Sequence, residues 1–424
     1  MEELLEPIVS GTGLWPLLIM AGVSIAILGK SADLLVDQAV ILSVRSGLPQ
    51  IVIGATIVSL GTTMPEATVS VLAAFSGEPG MALGNAVGSV ICDTGLILGL
   101  ACLLLPLPLN RELVNRQGWV QFAVGLLLVI ACVPWGNLAS FTASPDAAYF
   151  DGKTLVAADS TTVEVDKELA AQITAYLTEN NYVESNRLTK EYTEARNAKA
   201  LATLPASLAP YEESLLADLD NIGGGKLHQS MGWLFLVLLA VYMLWSVRLA
   251  KNSSQVNDEV SEQDDHPDSV TGPVAILIVS TLFLVASSAL LISTTTELAE
   301  HHFHVPTSII AATLVAFGTS LPELVTALTA VRKKQGELAV GNVIGADILN
   351  VLFVSGAAAA VTQEGLAADA SMFQLQFPAM LVVLLIFRVG IFTEKSGKLT
   401  RPFGACLLVV YLAYLFLNVS RMSG

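Results

Sequence analysis

Apolar residues in this chain gather in long blocks separated by short polar stretches, and they do not alternate one by one. Ten blocks are read as membrane spans: 15–36, 50–75, 81–106, 117–136, 231–250, 272–295, 307–331, 338–361, 374–392 and 403–420. A helix crosses the hydrocarbon layer with about 20 residues. Each block is read as a helix because a helix satisfies its own backbone hydrogen bonds in lipid, whereas a barrel would show strict alternation. The pattern therefore predicts an all-α membrane protein.

Ten spans divide as five plus five, and an odd number per half turns the second half over in the membrane. The expected fold is ten transmembrane helices arranged as two inverted five-helix repeats with a small extracytoplasmic insert domain. The expected organisation is a first repeat with spans one to four over 1–136, an insert over 137–230, span five over 231–250, an acidic linker over 251–270 and a second repeat with spans six to ten over 271–424. Within the insert, a strand pair is predicted around Thr154–Val165, and helices over Lys167–Tyr182, Arg187–Leu201 and 211–220, so that it is mostly helical.

Basic residues orient the spans. Arg45, Arg111, Arg116, Arg248, Lys251, Arg332, Lys333, Lys334, Arg388, Lys395, Lys398 and Arg401 are assigned to the short loops of one side. The opposite short loops, 1–14, 76–80, 296–306 and 362–372, have none. The positive-inside rule then predicts a multi-pass protein of the plasma (inner) membrane, with both termini and the insert outside and the linker in the cytoplasm. Met1-Glu2-Glu3 offers no basic n-region, so the start does not read as a cleaved signal peptide.

Composition agrees with the spans. The chain is 53% hydrophobic and 14% charged, with mean hydropathy +0.65, against about 25% charged residues in soluble domains. The formal net charge of −16 is concentrated, with 14 acids against 7 basic residues in 137–230 and 6 acids against one lysine in 251–268. That balance argues against a nucleic-acid partner. Cys92, Cys102, Cys132 and Cys406 all fall in predicted spans without a CxxC pair, which gives neither a disulfide framework nor a metal motif.

Candidate chemistry comes from a segment that occurs twice. Gly54–Gly99 aligns on Ala311–Gly356 without a gap, with 14 of 46 positions identical. Gly61-Thr62-Thr63-Met64-Pro65-Glu66 answers to Gly318-Thr319-Ser320-Leu321-Pro322-Glu323, and Gly84-Asn85-Ala86-Val87-Gly88 to Gly341-Asn342-Val343-Ile344-Gly345. A glutamate inside a membrane span is costly unless it faces a partner or a cavity. Pro65 and Pro322 each remove a backbone hydrogen bond and displace the carbonyl four residues earlier. Each copy thus offers a carbonyl, two hydroxyls and a carboxylate within six residues, an all-oxygen set suited to a hard cation such as Ca²⁺.

Asp93 follows Glu66 by 27 residues and Asn350 follows Glu323 by the same number. Glu66, Asp93, Glu323 and Asn350 are expected to form one central cluster, and buried like charges repel unless cations or protons fill it. That alternation is the chemistry of an antiporter. Gly84, Gly88, Gly341 and Gly345 form two GxxxG spacings, read as close helix packing. Asp347 has Val90 as its counterpart; it is either an additional cation or proton ligand or a hydrogen-bonded carboxyl facing a water-filled path. Lys30 and Asp33 are read as snorkelling to the interface. His301, His302 and His304 are read as part of a solvated loop.

At these two pairs of motifs the chain resembles the calcium/cation antiporter superfamily, most closely its sodium/calcium exchanger branch. The resemblance implies exchange of Ca²⁺ against Na⁺ by alternating access. It implies Glu66 and Glu323 as shared Ca²⁺ ligands, with backbone oxygens of Thr62 and Thr319 completing that site. Thr63, Ser89 and Ser320 would serve Na⁺, with the carbonyls of Ser59 and Ala316, while Asp93 and Asn350 take the central carboxylate and amide positions. The chain departs from the family pattern at Gly345-Ala346-Asp347, where a hydroxyl is replaced by Ala346, and at Val90, where an amide is missing. The acid and amide are also exchanged between the copies at Asp93 and Asn350.

No cofactor is expected beyond the transported Ca²⁺ and Na⁺ (or H⁺), and the partners are metal cations and the lipid bilayer, with one chain sufficient for transport. Asp347 and the lost hydroxyl keep open a proton-coupled antiporter or one for another divalent cation such as Mg²⁺. The insert keeps open a receptor or scaffold working through its outside domain. An enzyme is not expected, because no Ser/His/Asp set, HExxH motif or phosphate-binding loop occurs.

Overall fold

The computed structural model describes residues 9, 12–76, 79–108, 111–135, 149–150, 154–156, 162–164, 225–252, 270–298, 318–363, 365–368, 372–393 and 397–422. Its described helices are α1 Leu14–Ser46, α2 Gln50–Thr62, α3 Met64–Phe75, α4 Pro79–Leu104, α5 Arg111–Cys132, α6 Gln229–Asn252, α7 Thr271–Glu297, α8 Leu321–Arg332, α9 Gly336–Val361, α10 Phe377–Thr393 and α11 Arg401–Met422. Among the described residues, eight helices are long and apolar enough to cross a membrane, and α2 with α3 makes a ninth, bent by 45° at Thr63. The predicted span 307–331 is described only from Gly318, and its second half is α8. Residues 253–269 of the linker, His301, His302 and His304, and the predicted helices of the insert lie outside the described residues.

The predicted span 15–36 is the first part of a longer helix that ends when Gly47 turns left-handed at φ 67°. The predicted span 50–75 is two helices. Proline starts a helix without loss because the first turn lacks a partner for its N–H. Pro65 therefore opens α3 and Pro322 opens α8. The helix boundaries repeat with the sequence: Met64–Phe75 answers to Leu321–Arg332, and Pro79–Leu104 to Gly336–Val361, each 257 residues on.

Contacts divide the chain into two compact units, one of Met1–Val129, His228–Leu366 and Leu375–Gly424, the other of Ile130–Leu227 and Ala367–Gln374. In the second unit, Tyr149–Phe150, Thr154–Val156 and Thr162–Glu164 form an antiparallel sheet in that order, with Leu155 opposite Val163. The first unit carries the duplicated helices. Its α9 and α4 are the most enclosed, 89% and 72% buried over their apolar windows, against 17% for α11 and 22% for α6. Trp15, Leu282, Val409 and Phe416 stand exposed on the outer helices, as lipid-facing residues do, since lipid tails are as apolar as a leucine side chain. α1 lies along α7, with Leu17 packed near Val9 and Leu298.

Asp33 has ionic partners that the sequence did not name, and one expectation about charged residues needs correction. Asp33 pairs with Arg332, and Lys333 Nζ reaches Asp37 Oδ1 at 2.6 Å and the Asp33 carbonyl at 3.0 Å. Of the basic residues assigned to short loops, Arg45, Arg111, Arg116, Arg248, Lys251, Arg332 and Arg401 lie toward the ends of helices, and Arg388 is not a loop residue either. It is buried within α10, donating to Asn115 O at 3.0 Å and Asn115 Oδ1 at 2.8 Å, with its guanidinium 4.3 Å from the Trp119 ring centre. Desolvation makes an unpaired buried charge too costly, so this arginine takes acceptors and a π face from α5.

Candidate functional site

The site begins where Pro65 and Pro322 open their helices. Thr63 sits at the break with φ −81° and ψ 0°, and Ser320 repeats it with φ −86° and ψ 8°. Their carbonyls accept from Ala67 N at 3.1 Å and Leu324 N at 3.0 Å, which starts the next helix. Glu66 and Glu323 therefore stand in the first turn of α3 and α8, where the helix dipole favours a negative side chain. Both are fully buried.

The two copies then bond across each other. Thr63 Oγ1 donates to Glu323 Oε1 at 3.1 Å, and Ser320 Oγ donates to Glu66 Oε1 at 3.3 Å. Asn350 Nδ2 donates to Asp93 Oδ2 at 3.2 Å, joining another pair of equivalent positions. Glu66 Oε2, Glu323 Oε2, Asp93 Oδ1, Asn350 Oδ1 and Ser89 Oγ are buried without a hydrogen-bond partner. Unpaired buried oxygens of this kind are what a hard cation takes as ligands. Among the described residues, no three His, Cys, Asp or Glu side chains converge on one metal position. A cation here would complete its shell with hydroxyl, amide and carbonyl oxygens.

The backbone bends at the same places in both copies. A π-turn runs over Cys92–Ile97 in α4 and over Asn350–Ser355 in α9. Such turns widen a helix locally and recur at functional sites. A third π-turn, Gly54–Val58, interrupts α2.

The other predicted residues fall around this centre. The Ser59 carbonyl accepts from Thr63 N at 2.9 Å and Thr62 Oγ1 at 3.3 Å. Thr319 Oγ1 donates to Asn85 Oδ1 at 3.5 Å. Ala316 lies outside the described residues. A Cβ built on Gly341 would meet Ile51 O at 2.2 Å, and one on Gly345 would meet Ser59 Oγ at 2.4 Å and Ala55 Cα at 2.5 Å. Those glycines let α9 lie backbone to backbone against α2. Among the described residues a Cβ at Gly84 meets only Gln376 Oε1 at 4.0 Å and at Gly88 nothing, and the stretch equivalent to α2 is outside them.

Sequence reasoning missed the bonds made by Asn85, Thr94 and Gln121. Asn85 donates to the Glu66 carbonyl at 3.3 Å and to Ser70 Oγ at 3.0 Å, tying α4 to the broken span. Asp347 accepts from Thr94 Oγ1 and from Gln121 Nε2 of α5. Asn85 was visible within the Gly-Asn motif, and Gln117 with Gln121 as two amides one turn apart on an apolar helix.

Comparison with known proteins gives a consistent account. The family model described as "Sodium/calcium exchanger protein" matches residues 16–158 and 272–420, most of the chain, in two segments. The chain is 27% identical to "Inner membrane protein YrbG" of Escherichia coli (strain K12), over 91% of this chain and 92% of that protein. It is 26% identical to "Sodium/calcium exchanger MaX1" of Methanosarcina acetivorans, over 91% and 93% respectively. The fold matches a solved structure of the sodium-calcium exchanger NCX_Mj with TM-score 0.62, at 19% identity, over 94% of this chain and 97% of that one. The chain belongs to the sodium/calcium exchanger protein family and is a multi-pass membrane cation antiporter, not an enzyme.

Proposed function

We propose that this protein exchanges Ca²⁺ for Na⁺ by alternating access at the pocket between the two copies. The reciprocal bonds Thr63–Glu323 and Ser320–Glu66 carry the reading. They bring the two glutamates within reach of one set of hydroxyls while leaving a carboxylate oxygen open on each. Glu66 and Glu323, with backbone oxygens of Thr62 and Thr319, hold Ca²⁺. Thr63, Ser89, Ser320 and the carbonyls of Ser59 and Ala316 hold Na⁺, with Asp93 and Asn350 between. Two relatives bear the name sodium/calcium exchanger, which supports the ion pair chosen.

The architecture proposed with it is ten helices in two inverted repeats, 1–136 with 231–250 and 271–424, in the inner membrane. Both termini and the 137–230 insert face outside, and the 251–270 linker faces the cytoplasm. An exchange of this symmetry follows from opposed halves rocking around a fixed site. Proteoliposomes loaded with Na⁺ are expected to accumulate Ca²⁺ and to stop when the Na⁺ gradient is collapsed. Uptake that ignores Na⁺ and follows an imposed pH gradient would replace Na⁺ by H⁺ in this scheme. Uptake of Mg²⁺ in preference to Ca²⁺ would change the divalent ion.

A further inference from the structure

We propose a second cation position beside the central pocket, built on Asp347, Gln121 and Thr94, which takes one Na⁺. The proposal rests on the exchanger reading for its role in transport. Asp347 Oδ2 accepts from Thr94 Oγ1 and Gln121 Nε2, and Gln121 Nε2 also donates to Thr94 Oγ1 at 3.2 Å. All three side chains are at least 99% buried. Asp347 Oδ1 and Gln121 Oε1 remain without a partner, and they belong to the same bonded pair.

Charge decides what could sit there. Among the described residues, no ion pair reaches Asp347. A carboxylate taken out of water without a counter-charge costs several kcal/mol on the order-of-magnitude scale for buried ions, and Asp93, next in sequence to Thr94, lies close enough to act on Asp347 by charge. A cation on the two open oxygens removes that cost. The three bonded residues themselves carry one negative charge plus neutral amide and hydroxyl oxygens, the set a monovalent ion needs, while Asp93 is already shared with Asn350 of the central pocket. A Ca²⁺ ion would call for about 6–8 oxygens and more carboxylates.

The position is not a copy of the central site. The counterparts of Asp347 and Thr94 are Val90 and Val351, so the second half of the molecular pseudo-symmetry has no such cluster. Gln121 comes from α5, outside both motifs. Gln117 lies one turn away on α5, bonded through Nε2 to Ser246 Oγ at 3.1 Å with its Oε1 also open, so the polar row continues past Gln121.

The test uses the purified full chain. In a Glu66→Gln/Glu323→Gln background without Ca²⁺, Na⁺ in place of choline is expected to raise the unfolding temperature. Adding Asp347→Asn is expected to remove that rise, and adding Gln121→Leu to weaken it. In proteoliposomes, Asp347→Asn alone is expected to lower the number of Na⁺ exchanged per Ca²⁺ by one, read from the reversal potential. A Na⁺-induced rise that survives Asp347→Asn overturns the proposal, as does an unchanged reversal potential. A variant altered only in its pH dependence overturns it in favour of a bound proton. If wild-type vesicles fail even at Ca²⁺–Ca²⁺ exchange, the exchanger reading falls, while the unfolding measurement still decides whether Asp347 holds Na⁺.

Discussion

Thr63 donates a hydrogen bond to Glu323 at 3.1 Å, and the equivalent residue of the other copy, Ser320, returns one to Glu66 at 3.3 Å. Each copy therefore bonds the other's glutamate. The bond leaves one oxygen of each carboxylate open, so in the proposed site the hydroxyl and an ion would not compete for the same oxygen.

Neutralising either glutamate is expected to end exchange. Glu66→Gln or Glu323→Gln removes one charge from a buried, mutually bonded set, a change of about 3–5 kcal/mol by analogy with broken buried ion pairs. That corresponds to a loss of Ca²⁺ affinity of about 100-fold or more. Ca²⁺ binding by calorimetry and Na⁺-driven ⁴⁵Ca²⁺ uptake measure it. Near-normal uptake in either variant would remove that residue from the site.

Removing the orienting hydroxyls is expected to do less. Thr63→Val and Ser320→Ala each take one hydrogen bond from a carboxylate, about 1.5–3 kcal/mol for a charged acceptor. Half-saturation for Ca²⁺ should rise by about 10- to 100-fold. Because the two bonds are equivalent, the two variants should resemble one another, and transport kinetics of both side by side would reveal any inequality.

Close packing of α9 on α2 makes Gly341 and Gly345 intolerant of larger residues. A Cβ at Gly341 falls 2.2 Å from the Ile51 carbonyl oxygen. Gly341→Val is expected to destabilise by at least the usual overpacking cost of about 1–3 kcal/mol. Thermal unfolding in detergent should show it, with Gly88→Ala, which has nothing described within 4 Å of its Cβ, as the comparison.

The ionic cluster of Asp33, Asp37, Arg332 and Lys333 links α1 to the end of α8. Its members are partly exposed, so Lys333→Ala is expected to cost no more than about 1 kcal/mol. The effect should shrink as salt is raised, because screening acts on exposed charges. A salt-insensitive loss of stability would mean that Lys333 acts through packing instead.

Several features were legible from residue order alone. The blocks of apolar residues gave the membrane class, because a bilayer admits only chains that satisfy their backbone internally. Proline at 65 and 322 gave the breaks, because its ring fixes φ and lacks an N–H. The gapless repeat from Gly54 and Ala311 even carried the helix ends, which recur 257 residues apart in α3 and α8. Other features were illegible for an equally physical reason. Asp33 reads with Lys30 as snorkelling, and its partner Arg332 goes unnamed because it is 299 residues away.

Sequence by itself thus determined the membrane character, the two copies, their broken spans and the identity of the buried acids. These are local consequences of hydropathy, proline geometry and the cost of a charge in lipid. Only the tertiary structure decided which hydroxyl serves which carboxylate, that Asp93 meets Asn350, and that Asp347 turns to Thr94 and Gln121. Those choices depend on how helices far apart in the chain are brought side by side, and hydrogen bonds between them leave no periodic trace in either segment.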